Sequence, residues 1–185
     1  MRDHAKYLKK QVYLTFYDYS QCFDSLWLEE SMISLWKLGI RNELFYLIFK
    51  LNEVTDIQVK TPYGKTNRFE CKRIVKQGSV LSSNICSAST GELCDSNSLG
   101  YATIGNTMIN NTLFVDDTSD YNSNINENIE SHHQVVCFSH SKRLSLNHEK
   151  CVSMIMHRKA HNATPTLKIG NDAIQNVKVT KFQTW

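Results

Sequence analysis

Val12-Tyr13-Leu14-Thr15-Phe16-Tyr17-Asp18 is an apolar, aromatic and β-branched run that stops on a carboxylate. That composition predicts a buried strand over Val12 to Tyr17. Far along the chain Thr107 to Val115 ends the same way, on Asp116-Asp117. If the two runs come together, three carboxylates from distant segments meet at one edge of a sheet. The plainer reading of Asp116-Asp117 is a turn, where aspartate is common because its side chain bonds local backbone.

Working outward, Ser25 to Leu38 places Leu26, Leu28, Ile33, Leu35, Trp36 and Leu38 on an approximate helical face, with Gly39 as its stop. A second helix is expected over Arg41 to Val54. Ile57 to Thr61 and Arg68 to Cys71 read as a hairpin about Pro62-Tyr63-Gly64-Lys65, where proline and glycine mark the turn. Val80 to Leu93 reads as a helix of small residues, suited to close packing or to a substrate lying along it. Tyr101 to Ile104 and Thr107 to Val115 form the arms of another hairpin, with Gly105-Asn106 as a turn. A polar helix with an apolar stripe at Ile125, Ile129, Val136 and Phe138 spans roughly Asn124 to Arg143. Cys151 to Met156 alternates like a strand, and Gly170-Asn171 turns one more small hairpin. This order is an α+β arrangement. Without repeats or linkers, one domain over 1–185 is expected.

Composition narrows the class. A chain of 185 residues with 41% apolar side chains and two prolines argues for one packed core and against disorder. The net charge of +3 says little, since basic and acidic residues nearly balance. Lys60, Lys65, Arg68, Lys72, Arg73 and Lys76 do concentrate positive charge, which attracts phosphate regardless of sequence, although such residues on an exposed hairpin are also ordinary solvated surface. Six cysteines contain no CxxC pair and read as reduced, intracellular thiols. His133, Cys137 and His140 share a helix face, but a structural zinc site wants four ligands, so a polar face with a packed cysteine is expected. No secretory signal opens the chain, and Leu44 to Leu51 is far short of the roughly 20 residues of a membrane span. An intracellular protein that is not secreted and has no membrane partner is expected, with nucleus or cytoplasm left open.

Carboxylates at strand ends suit magnesium, a hard cation held by one or two acids while phosphates and water complete its shell. Two such ions about 3.5–4 Å apart activate an attacking hydroxyl and stabilise the leaving oxygen of a phosphoryl transfer.

Phe16-Tyr17-Asp18-Tyr19-Ser20-Gln21-Cys22-Phe23-Asp24 resembles the first palm motif of non-LTR, LINE-like reverse transcriptases. Lys76-Gln77-Gly78-Ser79-Val80-Leu81-Ser82 resembles their second motif, and Phe114-Val115-Asp116-Asp117 their third, in order and at compatible spacing. Leu144-Ser145-Leu146-Asn147-His148-Glu149-Lys150 resembles the fourth. Ile74, Ser83, Val115 and Cys22 stand where glycine, proline, alanine and alanine are usual in that family; none removes a carboxylate.

The resemblance implies a reverse-transcriptase palm, an antiparallel sheet backed by helices, with partial fingers and the thumb missing. It implies RNA-directed DNA polymerase activity on an RNA template, a DNA primer and deoxynucleoside triphosphates, in a chain that is part of a longer polyprotein with a thumb and an endonuclease region. Asp18, Asp116 and Asp117 would be catalytic and hold two Mg2+ ions, with Mn2+ as a substitute. Phe23 would lie under the incoming sugar and clash with a 2′-hydroxyl. Gln77 and Gly78 would shape the nucleotide pocket, Arg73 and Lys76 would meet phosphate or template, and Lys150 would approach the departing pyrophosphate. Two rivals stand beside this reading: a catalytically inactive retroelement fragment with at most residual nucleic-acid binding, and an α+β RNA-binding module, whose stacking aromatics the sequence lacks.

Overall fold

The computed structural model describes residues 11–53, 56–70, 79–94, 102–104, 107–156 and 165–177. Its centre is a five-stranded sheet. Strand β1 (Val12–Tyr17) lies in the middle, flanked by strands reached only much later in the chain.

After β1 come a single helical turn, α1 (Cys22–Ser25), and two helices, α2 (Leu28–Lys37) and α3 (Asn42–Asn52). A ribbon follows, with β2 (Asp56–Ile57) paired to β5 (Phe69–Glu70) and β3 (Lys60–Thr61) to β4 (Gly64–Lys65), about the expected Pro62-Tyr63 turn. Helix α4 (Ser82–Gly91) lies inside the expected Val80 to Leu93 span.

The next region departs from expectation. The arm read as Thr107 to Val115 is two strands, β7 (Thr107–Ile109), paired with β6 (Ala102–Ile104), and β8 (Asn111–Phe114). Asp117 does not end a strand; it begins β9 (Asp117–Asn122), which folds back on β8. The sequence reading missed β9 because Asp117-Thr118-Ser119-Asp120-Tyr121-Asn122 is polar, and only tertiary pairing makes it a strand. Helix α5 (Ile125–Ser141) and β10 (Val152–Met156) fall where expected. Asn124 caps α5 by accepting the Glu127 backbone N–H at 2.9 Å. The tail gives β11 (Lys168–Ile169) and β12 (Asp172–Ala173), turning at Gly170 with φ +61, then β13 (Gln175–Val177).

The sheet order is β13-β10-β1-β9-β8. All pairings are antiparallel except β10 with β13, so the sheet is antiparallel in its body with one parallel edge. Beside the sheet, α1 to α4 enclose a core of Leu26, Met32, Leu35, Ile48, Ile85 and Cys86. The small residues of α4 allow close approach: Ser89 donates to Ser31 at 3.1 Å, and Cys86 Sγ lies 3.3 Å from Cys22 Sγ. Buried Lys142, just after α5, pairs with Glu92 at 2.9 Å, and Glu92 also takes Lys37 at 2.8 Å. Partial burial pushes the Glu92 carboxyl up, but donors from Lys37, Ser34 and Lys142 outweigh it and bring it down to about 2.

The helix face with His133, Cys137 and His140 is polar, but the expected packed cysteine is not there: Cys137 is exposed, its sulfur 3.8 Å from the His133 ring. No helix among the described residues is long and apolar enough to cross a membrane.

Candidate active site

Asp18 leaves the end of β1 next to Tyr17, whose cross-strand partner Thr118 is the neighbour of Asp117 at the start of β9. Asp116 lies in the two-residue turn between Phe114 and Asp117, which are themselves paired. One sheet edge therefore gathers all three aspartates, two from a hairpin and one from the strand beside it.

The turn is held from below. Val115 adopts φ +60, rare for a β-branched residue and a mark of local strain. Its carbonyl accepts the Thr90 hydroxyl of α4 at 2.9 Å. This departure from the family's usual alanine thus sits at the point that aims Asp116.

The segment resembling the fourth motif closes directly on the first. Ser20 N–H donates to Ser145 O at 2.8 Å, Tyr19 bridges Leu146, and Asn147 N–H donates to Asp18 O at 2.9 Å. The Asp18 N–H points at the buried Cys151 sulfur, 3.4 Å away. Sequence reasoning gave Cys151 no part in positioning Asp18; a buried cysteine one residue after Lys150 was its only signal.

Lys150 Nζ lies 3.6 Å from Asp18 Oδ2, too long for a strong hydrogen bond but within ion-pair range. Lys150 is exposed, as a lysine usually is, and it stands beside the acids. Asp18 Oδ2 is buried and has no hydrogen-bond donor among the described residues. Around Asp117, partial loss of hydration first, then the charges of Asp116 and Asp18, push the carboxyl up, while Lys150 pulls it down. Asp117 itself opens to solvent. The crowding of like charge therefore carries that upward direction more securely than burial does.

An unsolvated carboxylate oxygen beside two further acids is a donor set suited to a hard cation. Among the described residues, however, no group of three or more His, Cys, Asp or Glu side chains is drawn close enough to hold a metal by itself.

Phe23 is partly buried and packs against the helical core. Gln77, Gly78, Arg73 and Lys76 lie outside the described residues.

Residues 1–180 match the model of the family described as reverse transcriptase (RNA-dependent DNA polymerase). The chain belongs to the reverse transcriptase family. No curated protein matches it. Solved structures similar to it include apo telomerase from Candida tropicalis truncated from its C-terminal domain, at 16% identity and TM-score 0.60. That match covers 88% of this chain and 34% of the telomerase. Telomerase from Candida albicans in complex with a TWJ fragment of telomeric RNA is similar at 13% identity and TM-score 0.59, over 94% of this chain and 32% of that one. At such identities the likeness establishes the fold, a reverse-transcriptase mixture of sheet and helices. The chain spans about a third of the length of these telomerases.

Proposed function

We propose that this chain is the palm with partial fingers of an RNA-directed DNA polymerase of the non-LTR retrotransposon kind, a single domain over 1–185. It adds a deoxynucleotide to a primer 3′-hydroxyl opposite an RNA template. The observation that carries the reading is the register that pairs Tyr17 with Thr118, the neighbours of Asp18 and Asp117, with Asp116 in the adjoining turn and Lys150 Nζ 3.6 Å from Asp18.

Asp18, Asp116 and Asp117 would hold the divalent cations, Mg2+ or Mn2+, which when bound lower the cost of charge on the attacking and leaving oxygens. The triphosphate itself would supply the remaining ligands, consistent with acids that do not close on a metal alone. Lys150, exposed and cationic beside Asp18, would meet negative charge on the departing pyrophosphate. Phe23, held on α1 by its core contacts, would wall off the sugar's 2′ side, so that ribonucleotides are excluded sterically. Gln77, Gly78, Arg73 and Lys76 would complete the nucleotide pocket. The partners are RNA template, DNA primer and deoxynucleoside triphosphates, and the work is done inside the cell.

A second reading, an inactive retroelement fragment with residual nucleic-acid binding, draws on acids that do not close on a metal by themselves among the described residues. Alignment of a primer needs surfaces beyond one palm, and a misplacement of about 1 Å costs about 10²-fold in rate.

Primer extension on an RNA template with magnesium and deoxynucleotides separates the two. Extension by the chain, lost in Asp116→Asn, supports the polymerase. Binding of template and primer without extension, unchanged in Asp116→Asn and not restored in a chain carrying a thumb, supports the inactive fragment.

A further inference from the structure

The ribbon of β2 to β5 is absorbed by none of the chemistry above. At its tip Tyr63 is 100% exposed, the most open large hydrophobic side chain among the described residues. Its backbone is nevertheless held in place. The Thr61 hydroxyl accepts the Tyr63 N–H at 3.2 Å and donates to Gly64 O at 2.9 Å, clasping the turn from both sides. Gly64 takes φ +128, a conformation that L side chains rarely adopt, and Pro62 fixes its own φ. Lower down, Thr66 and Val59 exchange two bonds of 3.0 Å, one through the threonine side chain, and Gln58 donates to Thr66 O at 2.8 Å. A turn whose backbone is already fixed loses little backbone entropy when something stacks on the ring it presents.

Two like-charged pairs face each other across the ribbon, and Arg68 is exposed just before β5. Lys60 and Lys65 are direct cross-strand partners near the tip, while Asp56 and Glu70 are partners at the foot. Like charges facing each other destabilise a ribbon, and neither lysine has an ion-pair partner among the described residues. An anion spanning the two ammonium groups would relieve that repulsion.

We propose that the tip of this ribbon docks an unpaired nucleic-acid strand, with Tyr63 stacked on a base and Lys60 and Lys65 on the flanking phosphates. The proposal rests on the polymerase reading for its ligand class and adds the surface that takes it. A ring alone would suit a protein partner; the paired cations select phosphate. Single strands are favoured because their bases can splay out onto a ring, whereas a duplex keeps its bases stacked.

The test is fluorescence anisotropy of the chain with a short labelled oligo-uridine RNA, a DNA of the matching sequence and a DNA duplex, across a salt series. Tyr63→Ala is expected to weaken single-strand binding about 10-fold and Tyr63→Phe to retain it, since stacking needs the ring and not the hydroxyl. The double variant Lys60→Ala/Lys65→Ala is expected to flatten the log Kd against log salt slope by about 1.4, the value for two phosphate contacts on a single strand. Unequal RNA and DNA losses identify which strand the ribbon takes. The Tyr63 variants should melt with the wild type, because that ring is exposed, and the lysine pair should melt no lower, because it removes a repulsion. Wild-type binding that Tyr63→Ala and the lysine pair leave unchanged overturns the ribbon proposal alone; no binding of RNA or DNA by the wild type overturns the polymerase reading with it. Equal losses on the duplex overturn the stacking assignment.

Discussion

On one face of the central sheet Val12, Leu14, Tyr121, Met154 and Met156 pack as hydrocarbon and ring beneath Ala102 and Ile109. On the other, Thr15, Asp120 and Asn122 meet Asn128, Ser131 and His132 of α5, and all are buried. The apolar face is stabilised by removal from water, without regard to direction. The polar face depends on bonds that must close: Asn128 donates to Thr15 at 3.1 Å, Ser131 to Asn122 at 3.0 Å, and Tyr17 lies 3.1 Å from His132 Nδ1. The far nitrogen of His132 is 2.9 Å from Lys168 O, so Nε2–H donates there and the ring links β1 to the β11 hairpin. Burial lowers the His132 pKa, which favours the neutral ring. The two faces teach that alternation in a strand need not mean one face in and one face out; β1 is buried on both.

The polar face is also where pH should act. Asp120 has no hydrogen-bond partner on either oxygen among the described residues, and burial pushes its carboxyl up from 3.8 to about 7. A carboxyl raised in the folded state keeps its proton after the unfolded chain has lost its own, so its contribution is complete below pH 3.8 and is lost as pH rises toward 7. At about 1.36 kcal/mol per pH unit, the loss is roughly 4 kcal/mol. Urea unfolding of wild type and Asp120→Asn at a series of pH values should show the variant gaining up to that amount, relative to wild type, between about pH 4 and pH 8. A difference independent of pH would mean that Asp120 is solvated.

On the apolar face Met154→Ala should cost about 2–4 kcal/mol, as for a buried methionine, with no dependence on pH. A urea midpoint that does move with pH in that variant would blur the distinction between the faces. Smaller still is Tyr17→Phe, which removes one hydrogen bond and leaves His132 Nδ1 unpaired. About 1–2 kcal/mol is expected. The loss should shrink as pH falls through the folded histidine's lowered range, where a protonated Nδ1 no longer accepts from Tyr17.

Much of this was legible in the chain before folding. The β1 run, the helices after it, the Pro62-Tyr63 turn and the Gly170 turn are local signals, set by side-chain period and by residues that tolerate particular φ values. Asp18, Asp116 and Asp117 were also legible as acids at strand termini, and they do share an edge. Not legible were β9, whose polar residues have little strand propensity of their own, and the closure of Ser145 and Asn147 onto Ser20 and Asp18. Nor could the polar layer under α5 be read, because Thr15, Asp120 and Asn128 look like surface residues until pairing and packing enclose them.

The amino-acid sequence by itself determined the family, the position of each acid along the chain and the turns that separate the elements, because these depend on neighbours in sequence. The tertiary structure decided which strand lies beside β1, which face of β9 is buried and how Lys150 comes to Asp18. Those outcomes depend on the sheet register, which places residues about a hundred positions apart opposite one another.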